Sequence, residues 1–204
     1  MNKWLLTLSI SLALSTGMAQ AAGDAAAGKQ KATTLGCVAC HGEDGNSPNP
    51  IWPKLAGQHQ PYLAKQVGAF KAGERKDDAM SAMAMMVATE EDLADLTAYY
   101  ASQALQPGET APELRIQGER IFRAGNAANG VAACTGCHGP QGMGNAPAKF
   151  PRVAGQHADY TVKALKDFRA GARASDPNQM MRGVAARMTD AEIAAVAQYM
   201  QGMK

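Results

Sequence analysis

Two five-residue runs concentrate the reactive side chains of this chain: Cys37-Val38-Ala39-Cys40-His41 and Cys134-Thr135-Gly136-Cys137-His138. C-x-x-C-H is the attachment signature of a c-type haem. Two thiols at this spacing can each form a thioether with a haem vinyl group, and the histidine that follows is placed to ligate the iron. The runs use all 4 cysteines of the chain. Two covalently bound haem c groups are therefore expected, attached through Cys37, Cys40, Cys134 and Cys137, with His41 and His138 on the irons. Competing chemistries fit less well. A structural zinc site takes four Cys or His ligands, usually from two close pairs. His59 and His157 could complete such sets, but a histidine directly against the second cysteine chelates poorly. A thioredoxin-like dithiol needs βαβ surroundings, and the sequence offers none. Structural disulfides are the remaining, weaker alternative.

The first residues indicate a compartment. Lys3 gives a positive start, Trp4 to Leu14 is mostly apolar, and Ala19-Gln20-Ala21 is a small-x-small cleavage site. This is the pattern of a secretory signal peptide over residues 1–21, its apolar stretch too short to span a bilayer. Cleavage after Ala21 leaves a mature chain beginning Ala22-Gly23-Asp24. No later stretch approaches the ~20 apolar residues of a transmembrane helix, so the expectation is a periplasmic protein, with peripheral membrane association at most. The formal net charge of +2 and the lack of a basic patch predict no nucleic-acid partner.

The elements that must position these groups come as a repeat. Trp52-Pro53-Lys54-Leu55-Ala56-Gly57-Gln58-His59 matches Phe150-Pro151-Arg152-Val153-Ala154-Gly155-Gln156-His157, and Tyr62, Phe70 and Gly73 match Tyr160, Phe168 and Gly171. The offset drifts only from 97 at Cys37/Cys134 to 100 at Thr89/Thr189. Two copies are too few for a solenoid, so the reading is two like domains, 22–102 and 113–204, joined by a linker over 103–112 with breakers at Pro107-Gly108 and Pro112. The second copy holds a seven-residue excess around Asn126–Gly130, before its motif.

The periodicity predicts helices over 24–35, 61–72, 113–124 and 158–170, stopped in the middle pair by Gly73 and Gly171. The last helix of each copy opens on a capping box, Thr89-x-x-Asp92 and Thr189-x-x-Glu192. Strand alternation is absent, and Asn46-Ser47-Pro48 and Gly142–Asn145 read as loops. Aromatic residues make up 5% of the chain, a thin core for small domains, and a buried porphyrin would supply the missing apolar plate.

A second iron ligand is expected between the middle and last helices, where methionine would raise the reduction potential. Met180-Met181 lies there in the second copy and Met80-Ser81-Ala82-Met83-Ala84-Met85-Met86 in the first. Counting from the preceding glycine transfers Met181 to Met83, whereas counting back from the capping threonine lands on Ser81, beside Met80. Met85 and Met86 read as core packing by a flexible side chain, and a thioether copper site is the sharper rival.

With these motifs in place the chain resembles the di-haem cytochrome c4 family, two class I cytochrome c domains in tandem. The resemblance implies an all-α fold of two class I cytochrome c-like domains, each wrapped around one covalent haem. It implies axial pairs His41–Met80 and His138–Met181, because Met80-x-x-Met83 is similar to the family's loop, whose first Met binds iron; Met83 is the alternative. It further implies that Pro53 and Pro151 carbonyls accept hydrogen bonds from His41 and His138, fixing the rings. His59 and His157 are expected at the surface or as helix caps, and Tyr62 and Tyr160 in the core or facing haem propionates.

The function implied is a periplasmic electron carrier in a respiratory chain, not an enzyme. The donor would be a quinol–cytochrome c reductase or a small carrier, and the acceptor a haem-copper terminal oxidase. The alternative is a di-haem peroxidase-type enzyme with one open iron, against which a methionine in each copy argues.

Overall fold

The computed structural model describes residues 23–204; the predicted leader over 1–21 lies outside them. The first half runs α1 (Ala25–Thr34), α2 (Val38–His41), α3 (Gln60–Lys71), α4 (Met80–Met85) and α5 (Glu90–Ser102). The second repeats it as α6 (Pro112–Ala124), α7 (Thr135–His138), α8 (Ala158–Ala170), α9 (Met180–Ala185) and α10 (Asp190–Gln201), with a 3-10 turn at Pro177–Gln179 leading into α9. Among the described residues the only β pairing is two isolated bridges, Asn126 to Val131 and Asn145 to Phe150. The fold is all-α.

Local chemistry sets the helix ends. Asp24 caps α1 by accepting from the Ala26 and Ala27 amides. Both capping boxes close reciprocally, Thr89 with Asp92 on α5 and Thr189 with Glu192 on α10, each satisfying two otherwise orphaned donors. Gly171 ends α8 in the left-handed region at φ +74°, where a Cβ is costly. The segments at the methionines form short helices, α4 and α9.

In each half the first helix crosses the last at a glycine. A Cβ on Gly28 would lie 2.0 Å from the Asp95 carbonyl oxygen, and one on Gly118 would lie 2.2 Å from that of Ala195. Only glycine permits these approaches. Around them the second-half core gathers Ile121, Phe122, Ile193 and Val196, all fully buried, and the first gathers Ala32, Leu96, Tyr99 and Tyr100. The excess in the second half is the loop closed by the Asn126–Val131 bridge and bound to buried Glu192 through Asn126 Nδ2 at 2.6 Å.

The halves meet along a seam that the repeat alone does not reveal. Gln58 Nε2 donates to the Arg152 carbonyl at 2.9 Å while its Oε1 accepts from the Arg152 amide at 2.9 Å. Gln156 does the same to Lys54, at 3.0 and 2.8 Å. The segment between α5 and α6 is pinned to both sides: the Gln106 amide donates to Asn46 Oδ1 at 2.8 Å, and the Gly108 amide to the Gln201 carbonyl at 3.0 Å.

Candidate haem pockets

Each C-x-x-C-H run folds as a single helical turn, so its cysteines and histidine, three and four residues apart, share one face. The His41 amide donates to the Cys37 carbonyl at 3.0 Å, the His138 amide to that of Cys134 at 2.9 Å, and Gly42 and Gly139 stop the turns at φ +78° and +77°. Cys37, Cys40, Cys134 and Cys137 are not paired in disulfides. Burial pushes the Cys37 thiol up and the Cys134 thiol up to about 11. His41 Nδ1 donates to the Pro53 carbonyl and His138 Nδ1 to the Pro151 carbonyl, each at 2.9 Å. A carbonyl only accepts, so Nδ1 carries the proton and Nε2 keeps its lone pair. Burial lowers the pKa of both rings, offset in part by these bonds, and both stay neutral, the state a metal requires.

Met80, Met83 and Met181 line one cavity of about 550 Å³ with both histidines. Burial sets a structural register between the methionine helices. Ala84 and Val87 are buried in the first half, Ala185 and Met188 in the second; this equivalence carries Met181 back onto Met80 and Val184 onto Met83. The two sequence counts disagreed because the second half has three more residues between Gly171 and Met181 than the first has between Gly73 and Met80, while Ala88 is one extra residue before the first capping box. Met85 and Met86 are not core residues: they are 60% and 56% exposed, because α4 turns its Met80, Met83 and Ala84 side inward.

The cavity crosses the seam, and its chemistry suits two porphyrins. Leu63, Phe70 and Leu96 in one half and Leu165, Phe168 and Val196 in the other give apolar walls. Buried Tyr100 Oη, Arg152 Nε and Arg173 Nε, all on cavity-lining residues, have no partner in the protein. Unpaired buried guanidinium donors are costly, and burial lowers the pKa of Arg152 and of nearby Lys54. Haem carboxylates are the chemical complement of such a wall.

Sequence reasoning missed the seam residues. His59 and His157 do sit at the N-caps of α3 and α8, but their side chains cap nothing; His59 Nε2 meets the Met143 carbonyl at 2.7 Å and His157 Nε2 that of Ser47 at 2.8 Å, each across the seam. Tyr62 and Tyr160 hydroxyls accept from Arg173 and Arg75 of the opposite half. The signal available was the repetition of Gln-His and Tyr at one offset, which shows equivalence but names no partner.

The Cytochrome c family matches residues 25–104 and again 117–204. Cytochrome c4 of Thiocapsa roseopersicina is 54% identical over 182 residues, covering 89% of this chain and 93% of that protein. Cytochrome c4 of Pseudomonas aeruginosa is 49% identical over 204 residues, the full length of both. Among solved structures, reduced recombinant cytochrome c4 from Pseudomonas stutzeri matches with a TM-score of 0.85 at 47% identity, covering 90% of this chain and 100% of that one.

Proposed function

Since this chain belongs to the cytochrome c family, in its two-domain cytochrome c4 group, we propose that it is a two-haem electron carrier working in the periplasm. Cys37 and Cys40 would hold one haem c and Cys134 and Cys137 the other. His41 with Met80, and His138 with Met181, would occupy the axial positions. Bound iron supplies one-electron exchange between its ferric and ferrous forms. Around it the protein fixes ligand orientation through Pro53 and Pro151, excludes water with the apolar walls, and sets the charge each pocket feels.

The observation carrying this reading is that each half sets a neutral, buried imidazole and a methionine in one cavity wall. Filled axial positions suit electron transfer and leave no open iron for a peroxidase reaction. The predicted leader supports export, and no described helix is long and apolar enough to cross a membrane. A quinol–cytochrome c reductase or small carrier as donor and a haem-copper terminal oxidase as acceptor complete the proposal, within a respiratory chain.

Pyridine haemochrome analysis is expected to give two haems per chain, and the mature mass to equal residues 22–204 plus both. Met80→Ala and Met181→Ala should each remove about half of the oxidised sulfur-to-iron band and create a high-spin site. A silent Met80→Ala beside an active Met83→Ala would transfer the ligand role to Met83.

A further inference from the structure

One residue breaks the two-fold pattern of the seam. Arg75 and Arg173 hold equivalent positions, and each guanidinium lies over the phenylalanine of its own half, 4.5 Å from the Phe70 and Phe168 ring centroids. Each also crosses the seam: Arg75 Nη2 donates to Tyr160 Oη at 3.1 Å, and Arg173 Nη2 to Tyr62 Oη at 2.9 Å. Gln66, however, has Ala164 as its counterpart. Its Oε1 accepts from Arg75 Nη1 at 2.7 Å and from Arg173 Nη2 at 2.8 Å. The acceptors within hydrogen-bond distance of Arg173, Tyr62 and Gln66, belong to α3 of the first half, with Tyr160 of its own half also beside it, whereas Arg75 bonds Gln66 of its own half and Tyr160 of the other.

Resting on the two-haem reading, we propose that Arg173 is a positioning residue acting in trans: carried by the second half, it serves the first haem pocket and raises the reduction potential of the first haem. A fixed positive charge disfavours ferric iron, which carries one more positive charge than ferrous. Arg173 is 7% exposed, so solvent and salt screen it little, and its field is stronger than a surface charge at the same distance. Gln66 ties that charge to α3 of the first half, because Ala164 offers Arg75 no equivalent acceptor on the other.

The test is spectroelectrochemical titration of the full-length holoprotein carrying Arg173→Gln or Arg173→Lys. Each change is made in Met181→Ala and in Met80→Ala backgrounds, so that one sulfur-ligated haem reports at a time. Arg173→Gln is expected to lower the potential of the first haem more than that of the second, and Arg173→Lys to restore most of the drop. Gln66→Ala, a substitution the second half already carries at the equivalent position, provides a second route and should lower the same haem. A larger shift at the second haem, no shift, or no recovery with lysine would overturn the proposal. Failure of the underlying ligand reading has a separate signature, an undiminished sulfur-to-iron band in both Met backgrounds, and wild type against Arg173→Gln then still shows whether either potential responds.

Discussion

The same helix crossing is built from different materials in the two halves. Aligned on Gly28 and Gly118, Lys31 of α1 stands where α6 has Ile121, and Ala32 where α6 has Phe122; on the last helix Asp95 stands for Ala195 and Tyr100 for Met200. In the first half Lys31 Nζ bonds Asp95 at 2.7 Å and Asp92 at 2.9 Å. In the second, Ile121 and Phe122 are fully buried and the Phe122 ring lies 5.6 Å from that of Tyr199. The large ring has moved between helices: Phe122 shares a core with Met200 in one copy, and Ala32 shares one with Tyr100 in the other. What the repeat preserves is filled volume at a glycine crossing, not the element that fills it. With an ion pair at the crossing where the second half has Ile121 and Ala195, the first half has the smaller apolar contact there and is expected to lean more heavily on its cofactor.

The largest test of that contrast is removal of one haem at a time. Cys37→Ala with Cys40→Ala, and Cys134→Ala with Cys137→Ala, should each lower stoichiometry from two haems to one. Circular dichroism is expected to show the greater helix loss when the first-half cysteines are changed, because small cores with little apolar burial need such staples. Two covalent haems retained in either variant would overturn the attachment sites, and a greater loss from the second-half change would reverse the comparison.

Next in size is the second-half core itself. Phe122→Ala should cost about 3–5 kcal/mol, the range for deleting a buried ring whose surroundings collapse only in part. Denaturant unfolding followed at the sulfur-to-iron band of the Met80→Ala protein reads that half alone. A cost under about 1 kcal/mol would mean that the haem, not Phe122, organises the α6–α10 crossing.

Acid should separate the halves less sharply. Hydrogen bonds from Lys31 hold the Asp95 and Asp92 carboxyls below their usual range, with the Asp24 amide also lowering Asp95. A depressed folded pKa gives stability that is present above the unfolded carboxylate pKa and lost as pH falls through the folded value. The second half has its own depressed carboxyls, Glu192, held down against burial by Asn126, Thr189 and Asn129, and Asp190, held down by Arg169 and Lys166, but none at the glycine crossing. Replacing the pair as Lys31→Ile with Asp95→Ala should flatten the acid limb of first-half unfolding, as hydrophobic replacement of ion pairs often does without loss of stability. Lys31→Ala alone should destabilise at neutral pH, since it strips Asp95 of its cation. Unfolding curves between pH 3 and 7 (a window of about one carboxylate titration) check both, and an unchanged acid limb in the double variant would remove the pair from the comparison.

What was legible in the sequence were features whose signal is local. The C-x-x-C-H turns need only three- and four-residue spacing, and the capping boxes at Thr89 and Thr189 state both donor and acceptor within four residues. Helices α3 and α8 followed from apolar spacing and their glycine stops. The seam was not legible, because Gln58 binds backbone atoms at Arg152 and a backbone acceptor leaves no trace in residue type. Nor was the orientation of the first methionine segment: Met80, Met83, Met85 and Met86 are alike in hydrophobicity, and only packing of Ala84 and Val87 decides which two face the cavity. The three residues that the first half lacks after Gly73 then misled counting forward, and the inserted Ala88 misled counting back from Thr89.

The smallest effect separates the two irons. Divided after Gln106, the mature chain has 7 Lys+Arg against 10 Asp+Glu in the first half, −3, and 12 against 8 in the second, +4. Placing Arg173 in the first pocket narrows this to −2 and +3 without changing its sign. Positive surroundings favour ferrous iron, so the second haem is expected to have the higher potential. Most of these charges are exposed, and two charges ~10 Å apart interact by only a few tenths of a kcal/mol in water; the gap should therefore shrink as salt is raised. Arg173 is among the buried ones, with Lys54, Asp95 and Glu192, and its pull runs the other way, towards the first haem. Arg173→Gln should then widen the gap while added salt narrows it, a pair of opposite responses that net charge alone does not produce. Titration of wild type and Arg173→Gln at low and high ionic strength reads both. A first haem that is the higher of the two, or a gap indifferent to salt, would show that ligand geometry and burial, rather than the charge difference between the halves, set the order.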